Sequence, residues 1–87
     1  MRITLEMRLL YWLTERRRQG RTTFTGHDIE TAGPTHLGST WMRSLRELRR
    51  KGLLDYKVTN AHKSQYELLT PLEDMVSTFN TLRRNAS

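Results

Sequence analysis

Between Trp41 and Val58 the spacing of apolar residues changes once, and that change restricts what the chain can fold into. Trp41, Leu45 and Leu48 recur with the period of an α-helix that buries one face. Leu54, Asp55, Tyr56, Lys57 and Val58 instead alternate as a half-covered strand does. Gly52 stands between the two rhythms, just after basic residues that suit a helix C-terminus, where glycine is a good cap. The stretch therefore predicts a helix over 39–51 and a strand over 54–58. A second β-prone run, 65–69, follows the polar segment Thr59-Asn60-Ala61-His62-Lys63-Ser64, so the two runs predict a hairpin.

The flanks are helical. From Thr4 to Arg18, Leu5, Leu9, Trp12 and Leu13 keep helical spacing, widened by Ile3, Met7, Leu10 and Tyr11; Arg16, Arg17 and Arg18 suit the negative end of the dipole, and Gly20 is a stop. Thr22, Thr23 and Phe24 form a short β-prone piece. Thr25, with Asp28 three residues on, reads as a capping box opening a brief helix through Thr31. Gly33-Pro34 places a turn in residues 32–38. Thr70-Pro71-Leu72-Glu73 predicts a helix start with Thr70 as N-cap and Pro71 at the first position, and the helix over 71–84 carries Leu72, Met75, Val76, Phe79 and Leu82 on one stripe. Asn85-Ala86-Ser87 reads as a fraying end. The expected order is α-β-α-α-β-β-α, mainly α with a small β-hairpin. At 87 residues the chain supports one core and hence one domain, and it shows no repeat or linker.

Charge adds to this frame. Fifteen Lys and Arg against nine Asp and Glu leave a net charge of +6, of which residues 43–51 carry +4, from Arg43, Arg46, Arg49, Arg50 and Lys51 set against Glu47. Arg outnumbers Lys twelve to three, a bias that suits bidentate contact with phosphates and guanine edges. Opposite Trp41, Leu45 and Leu48, the helix collects Ser39, Arg43, Arg46, Glu47 and Arg50. The plain reading is a solvated helix back, with Glu47 pairing to Arg43 before it or to Arg50 and Lys51 after it; the functional reading is a grip on a polyanion. Arg16, Arg17, Arg18 and Arg21 form a second cluster, read first as a solvated helix end and second as a contact with flanking phosphates.

Other chemistry is not favoured. With no cysteine there is no disulfide or thiolate site, and a reducing, cytoplasmic setting is expected; no apolar run is long enough to span a bilayer, and the N-terminus shows no signal-peptide pattern, so no membrane role is expected. His27, His36 and His62 have no metal-ligand spacing, so no metal is expected. Residues 33–40 approach a phosphate-binding loop but place Ser39 where its lysine belongs, and nothing like G-x-S-x-G is present. The expectation is a protein with no cofactor that is not an enzyme.

Across residues 22–70 the chain resembles the winged helix-turn-helix family, most closely its small MarR-like and PadR-like regulators. Trp41 falls where the family has an apolar anchor, Leu45 and Leu48 where it has core leucines, Gly52-Leu53-Leu54 at the turn into the wing, and Tyr66-Glu67-Leu68-Leu69-Thr70 at the closing strand. The resemblance implies that 39–51 is a recognition helix for the major groove and 54–69 a wing beside it. Ser39, Arg43 and Glu47, with His36 and Thr40, then lie nearest the base edges; Arg46, Arg50 and Lys51 meet phosphates; His62 and Lys63 form the wing tip. Glu47 either accepts from a cytosine amino group or holds Arg43 in one rotamer. Two features depart from the family: the turn at 32–38 is longer than the usual link, and the wing tip lacks the arginine many relatives carry.

The 72–82 stripe fits either helix one of the same chain or a second copy; family members usually dimerise through such terminal helices, which implies a homodimer built from Leu5 and Leu9 together with Leu72, Met75, Val76, Phe79 and Leu82. The expected activity is sequence-specific binding of double-stranded DNA by a small transcriptional regulator, a repressor or a phage- or plasmid-type control protein. The alternative is a winged-helix module that binds another protein, or a non-catalytic subunit of a nucleic-acid-processing assembly. No feature specifies a small-molecule effector.

Overall fold

The computed structural model describes residues 4–32 and 40–85. Their order is α1 (Leu5–Arg18), β1 (Thr23–Thr25), α2 (Gly26–Ala32), α3 (Trp41–Arg50), β2 (Tyr56–Asn60), β3 (Gln65–Leu68) and α4 (Leu72–Asn85). The chain is thus mainly α with a small antiparallel sheet, in the expected order and compatible with a winged helix. Of the turn expected at 32–38, Ala32 instead ends α2 and the rest lies outside the described residues, as do Ile3, the near-phosphate loop up to Ser39 with His36, and Ala86 and Ser87.

Local chemistry sets most of the boundaries. Thr4 caps α1, its hydroxyl accepting from the Met7 N–H at 3.2 Å. The helix closes in a Schellman turn, with Gly20 N–H donating to the Arg17 carbonyl and Arg21 N–H to that of Arg16, both at 2.9 Å. The same device ends α3: Gly52 N–H reaches the Arg49 carbonyl at 3.0 Å and Leu53 N–H that of Leu48 at 2.9 Å. Gly52 sits at φ 72°, which a side chain would strain. The capping box at α2 is reciprocal: Thr25 Oγ1 accepts from the Asp28 N–H and Asp28 Oδ2 from the Thr25 N–H, each at 3.0 Å.

The start of α4 differs from expectation. Thr70 does not cap it, because its hydroxyl accepts from the Asp55 N–H at 2.7 Å and so ties the end of the hairpin to its beginning. The carbonyl of Pro71 takes the first helical donors instead, Asp74 and Met75 N–H, both at 3.1 Å. Asn85, expected to fray, completes the helix.

The hairpin also differs. It is two strands of a three-stranded sheet in the order β1-β3-β2, because β1, one residue later than expected, pairs with β3 through Thr23↔Glu67, Phe24↔Tyr66 and Thr25↔Gln65. The register of β2 is Tyr56↔Leu68, Lys57↔Glu67 and Val58↔Tyr66, with a bulge before Asn60↔Gln65. The expected alternation holds for Leu54 and Tyr56, which are buried, and fails at Val58, which is 50% exposed. Past Tyr56 the strand outruns the core.

One core joins all layers. Leu9, Leu10 and Leu13 of α1 meet Ile29, Trp41, Leu45, Leu48 and Met75 from the other helices, and Phe24, Tyr56 and Tyr66 from the sheet. Tyr66 is the aromatic hub, stacked on Phe24 at 5.2 Å and edge-on to Tyr56 at 5.7 Å and Trp41 at 6.0 Å. Of the two surfaces open to the α4 stripe, its own α1 and a second copy, it packs on its own α1. Leu9 and Met75 have no exposed surface, Phe79 and Leu82 pack against the core, and the Phe79 ring lies 5.6 Å from Tyr11. Leu9 and Met75 therefore cannot reach a partner while the chain stays folded. Leu72 and Val76 are half-buried, and Leu5 is exposed.

Candidate nucleic-acid interface

The orientation of α3 is decided by what it buries. Trp41, Ser44, Leu45 and Leu48 are enclosed, and the Trp41 indole N–H donates to Glu30 Oε1 at 3.0 Å, fastening the start of α3 to α2. Beneath that indole lies Gly26, where an added Cβ would stand 2.6 Å from Trp41 Cζ2. Gly26 N–H in turn donates to the Ser64 carbonyl at 3.0 Å, so α2, α3 and the hairpin converge on one point. The sequence pattern pointed to neither Gly26 nor Glu30. The available signal was a glycine directly after a capping threonine, where a helix has no need of one.

With that face fixed, Thr40, Arg43, Arg46, Arg49, Arg50 and Lys51 are exposed, and Glu47 is half-buried. Thr40 is the N-cap residue of α3 and Lys51 its C-cap. Glu47 does not hold Arg43. It takes the fork of Arg50, with Nε to Oε1 at 2.9 Å and Nη2 to Oε2 at 2.8 Å, a bidentate pair one turn further along. This hydrogen bonding is the main reason that the Glu47 carboxyl is held below the ordinary glutamate range, with the charges of Arg50, Lys51 and Arg43 adding to it against some loss of solvation. The same bond raises Arg50 above the usual arginine value. Arg43 lies in no ion pair among the described residues.

The remaining arginines of α3 turn toward the hairpin. Arg46 Nη2 donates to the Met42 sulfur at 3.1 Å. Arg49 lies over the Tyr56 ring at 5.0 Å and pairs with Asp55 at 3.8 Å, which couples the end of α3 to the base of β2. Between α3 and the hairpin runs an open groove of about 470 Å³, lined among others by Met42, Arg46, Arg49, Arg50, Tyr56 and Val58. Its floor is apolar and its rim cationic. His62 and Lys63 occupy the turn between β2 and β3, both exposed; the Lys63 N–H donates to Asn60 Oδ1 at 3.2 Å, and Ser64 takes a positive φ of 49°. Lys57 is paired across the strands with Glu67 at 3.2 Å.

The second basic cluster is partly structural. Arg16 lies over Trp12 at 4.9 Å, donates to the Thr23 carbonyl at 3.0 Å and pairs with Asp28 at 3.7 Å, linking α1 to β1 and α2. Arg18 pairs with Glu15 at 3.4 Å, and Arg21 is exposed. Among the described residues no group of three His, Asp or Glu side chains could hold a metal, and no helix is long and apolar enough to cross a membrane. His27 is exposed on α2.

No protein-family model, curated protein or solved structure matches the chain.

Proposed function

We propose that the chain is a winged helix-turn-helix module that binds duplex DNA sequence-specifically, as a small non-enzymatic regulator of transcription of the repressor or phage- and plasmid-control type. The observation that carries this reading is the two-sidedness of α3: Trp41, Leu45 and Leu48 are 4%, 1% and 0% exposed, while Arg43, Arg46 and Arg50 stand in solvent. A helix anchored in this way enters a major groove as a rigid unit, with its arginines already outside the protein surface. The hairpin flanks it across the arginine-rimmed groove and is the proposed wing. Arg43 and Thr40 are the proposed base-side residues on α3, Arg46, Arg50 and Lys51 the phosphate contacts, and His62 and Lys63 a weak tip contact.

The proposal assigns one chain to one half-site. Pairing across a two-fold operator would need apolar surface beyond what α1 and α4 already bury in each other, and the large apolar side chains most exposed among the described residues are Leu5, Tyr11, Val58 and Leu69, scattered over α1 and the hairpin.

Titration of the chain against selected and random duplexes tests the reading. Affinity should fall steeply with salt, because each neutralised phosphate releases counterions. The double variant Arg43→Ala with Arg46→Ala, still folded by circular dichroism, should bind at least several-fold more weakly. No binding by the wild type at low salt would transfer the basic face to an acidic protein partner, and unchanged affinity in the double variant would remove α3 from the interface.

A further inference from the structure

Glu47 is the one acid among the charged residues of α3, and its placement works against simple attraction to a polyanion. A carboxylate among cations lowers the affinity of the face for phosphates, and this one keeps 32% of its side-chain surface open to solvent. Yet it is held in place. Arg50 donates to both oxygens at 2.9 and 2.8 Å, which favours one orientation of the carboxylate before any ligand arrives. Each oxygen uses one lone pair on Arg50 and keeps another for a donor from outside. Its ionisation is secured by the same contact, which makes it an acceptor only.

A duplex offers few donors to such a group. Phosphate oxygens, guanine O6 and N7 and thymine O4 all accept, and so repel it; in the major groove only the amino groups of cytosine N4 and adenine N6 donate. The adenine amino group lies beside N7, an acceptor that would face the second carboxylate oxygen. The cytosine amino group lies beside a C–H. The preference is therefore cytosine. Arg43 stands one helical turn before Glu47, exposed and outside any ion pair among the described residues, and its guanidinium suits the O6 and N7 of a guanine in the same or a neighbouring pair.

We infer that Glu47, oriented by Arg50, is a specificity-determining residue that accepts from the amino group of a cytosine and excludes guanine and thymine from that position. The inference rests on the proposed duplex-binding role of α3. It makes the carboxylate a selector: it contributes discrimination between sequences and lowers affinity for all the others.

Selection of duplexes from a random pool at fixed salt, for the wild type, Glu47→Ala and Glu47→Gln, tests it. The wild type should select cytosine at one position and lose about five- to 150-fold in affinity when that base alone is replaced by guanine or thymine. Glu47→Ala should flatten the preference there, and leave preferences elsewhere intact. Glu47→Gln keeps a hydrogen-bond acceptor for Arg50 and gains a donor that matches adenine N7, so its preference should move from cytosine to adenine. A residue that merely holds Arg50 would give a glutamine variant with wild-type preferences, and that result overturns the inference, as does a wild type whose selected sites ignore cytosine. Both outcomes leave duplex binding intact. A wild type that binds no duplex overturns the inference together with the proposed function.

Discussion

Replacing Gly26 by alanine should destabilise the protein, although helix propensity alone argues the other way. Alanine in place of glycine favours a helix by at most about 1 kcal/mol, and Gly26 opens α2, where that gain is smallest. Against it stands the indole of Trp41. The new Cβ would lie 2.6 Å from Cζ2, 2.9 Å from Cη2 and 3.4 Å from the Ser64 Cβ, so the ring must retreat by about 0.8 Å to regain a 3.4 Å contact. Trp41 is 4% exposed and packs edge-on to Tyr66, so the ring has little free space around it. Forcing an added methyl into a packed core costs about 1–3 kcal/mol. Moving the indole also loosens its N–H bond to Glu30, worth roughly 0.5–1.5 kcal/mol. The net expectation is a loss of about 1–3 kcal/mol, or roughly 4–24 °C in melting temperature for a domain of this size. Urea denaturation followed by far-ultraviolet circular dichroism measures it. A Gly26→Ala protein as stable as the wild type, or more stable, would refute the close approach of α2, α3 and the hairpin at this point.

Three further outcomes are expected. Leu48→Ala empties a fully enclosed site at the centre of α3 and should cost about 2–5 kcal/mol in the same denaturation assay. The Glu47 carboxyl, followed by nuclear magnetic resonance, should titrate below the ordinary glutamate range in the wild type and move back toward it in Arg50→Ala, because the Arg50 hydrogen bond is the leading cause of the shift. Since the folded value is the lower one, the stability contributed by the pair is complete above the unfolded glutamate value and is lost as pH falls through the folded value. Finally, sedimentation in the absence of DNA should return the mass of one chain, given that α4 packs its stripe on its own α1; a dimeric mass would restore the terminal helices as a pairing surface.

Features whose causes lie within a turn or two of chain were legible from residues alone. The Thr25 and Asp28 cap, the helix stops at Gly20 and Gly52, and the apolar line of Trp41, Leu45 and Leu48 each depend on neighbours three to five positions away, where helical geometry leaves few alternatives. The cationic face of α3 followed from that line, since burying one side of a helix exposes the other. Long-range competition decided the rest. Thr70 had two possible partners, the start of α4 and the Asp55 N–H, and the hairpin brought the second within 2.7 Å. Glu47 had arginines on both sides, and the fork of Arg50 fitted where Arg43 did not. The α4 stripe matched any apolar surface, and its own α1 was the one at hand. Gly26 had no visible purpose until Trp41, fifteen residues on, came to rest against it. Periodicity states which side of an element will be covered; only the folded chain states by what.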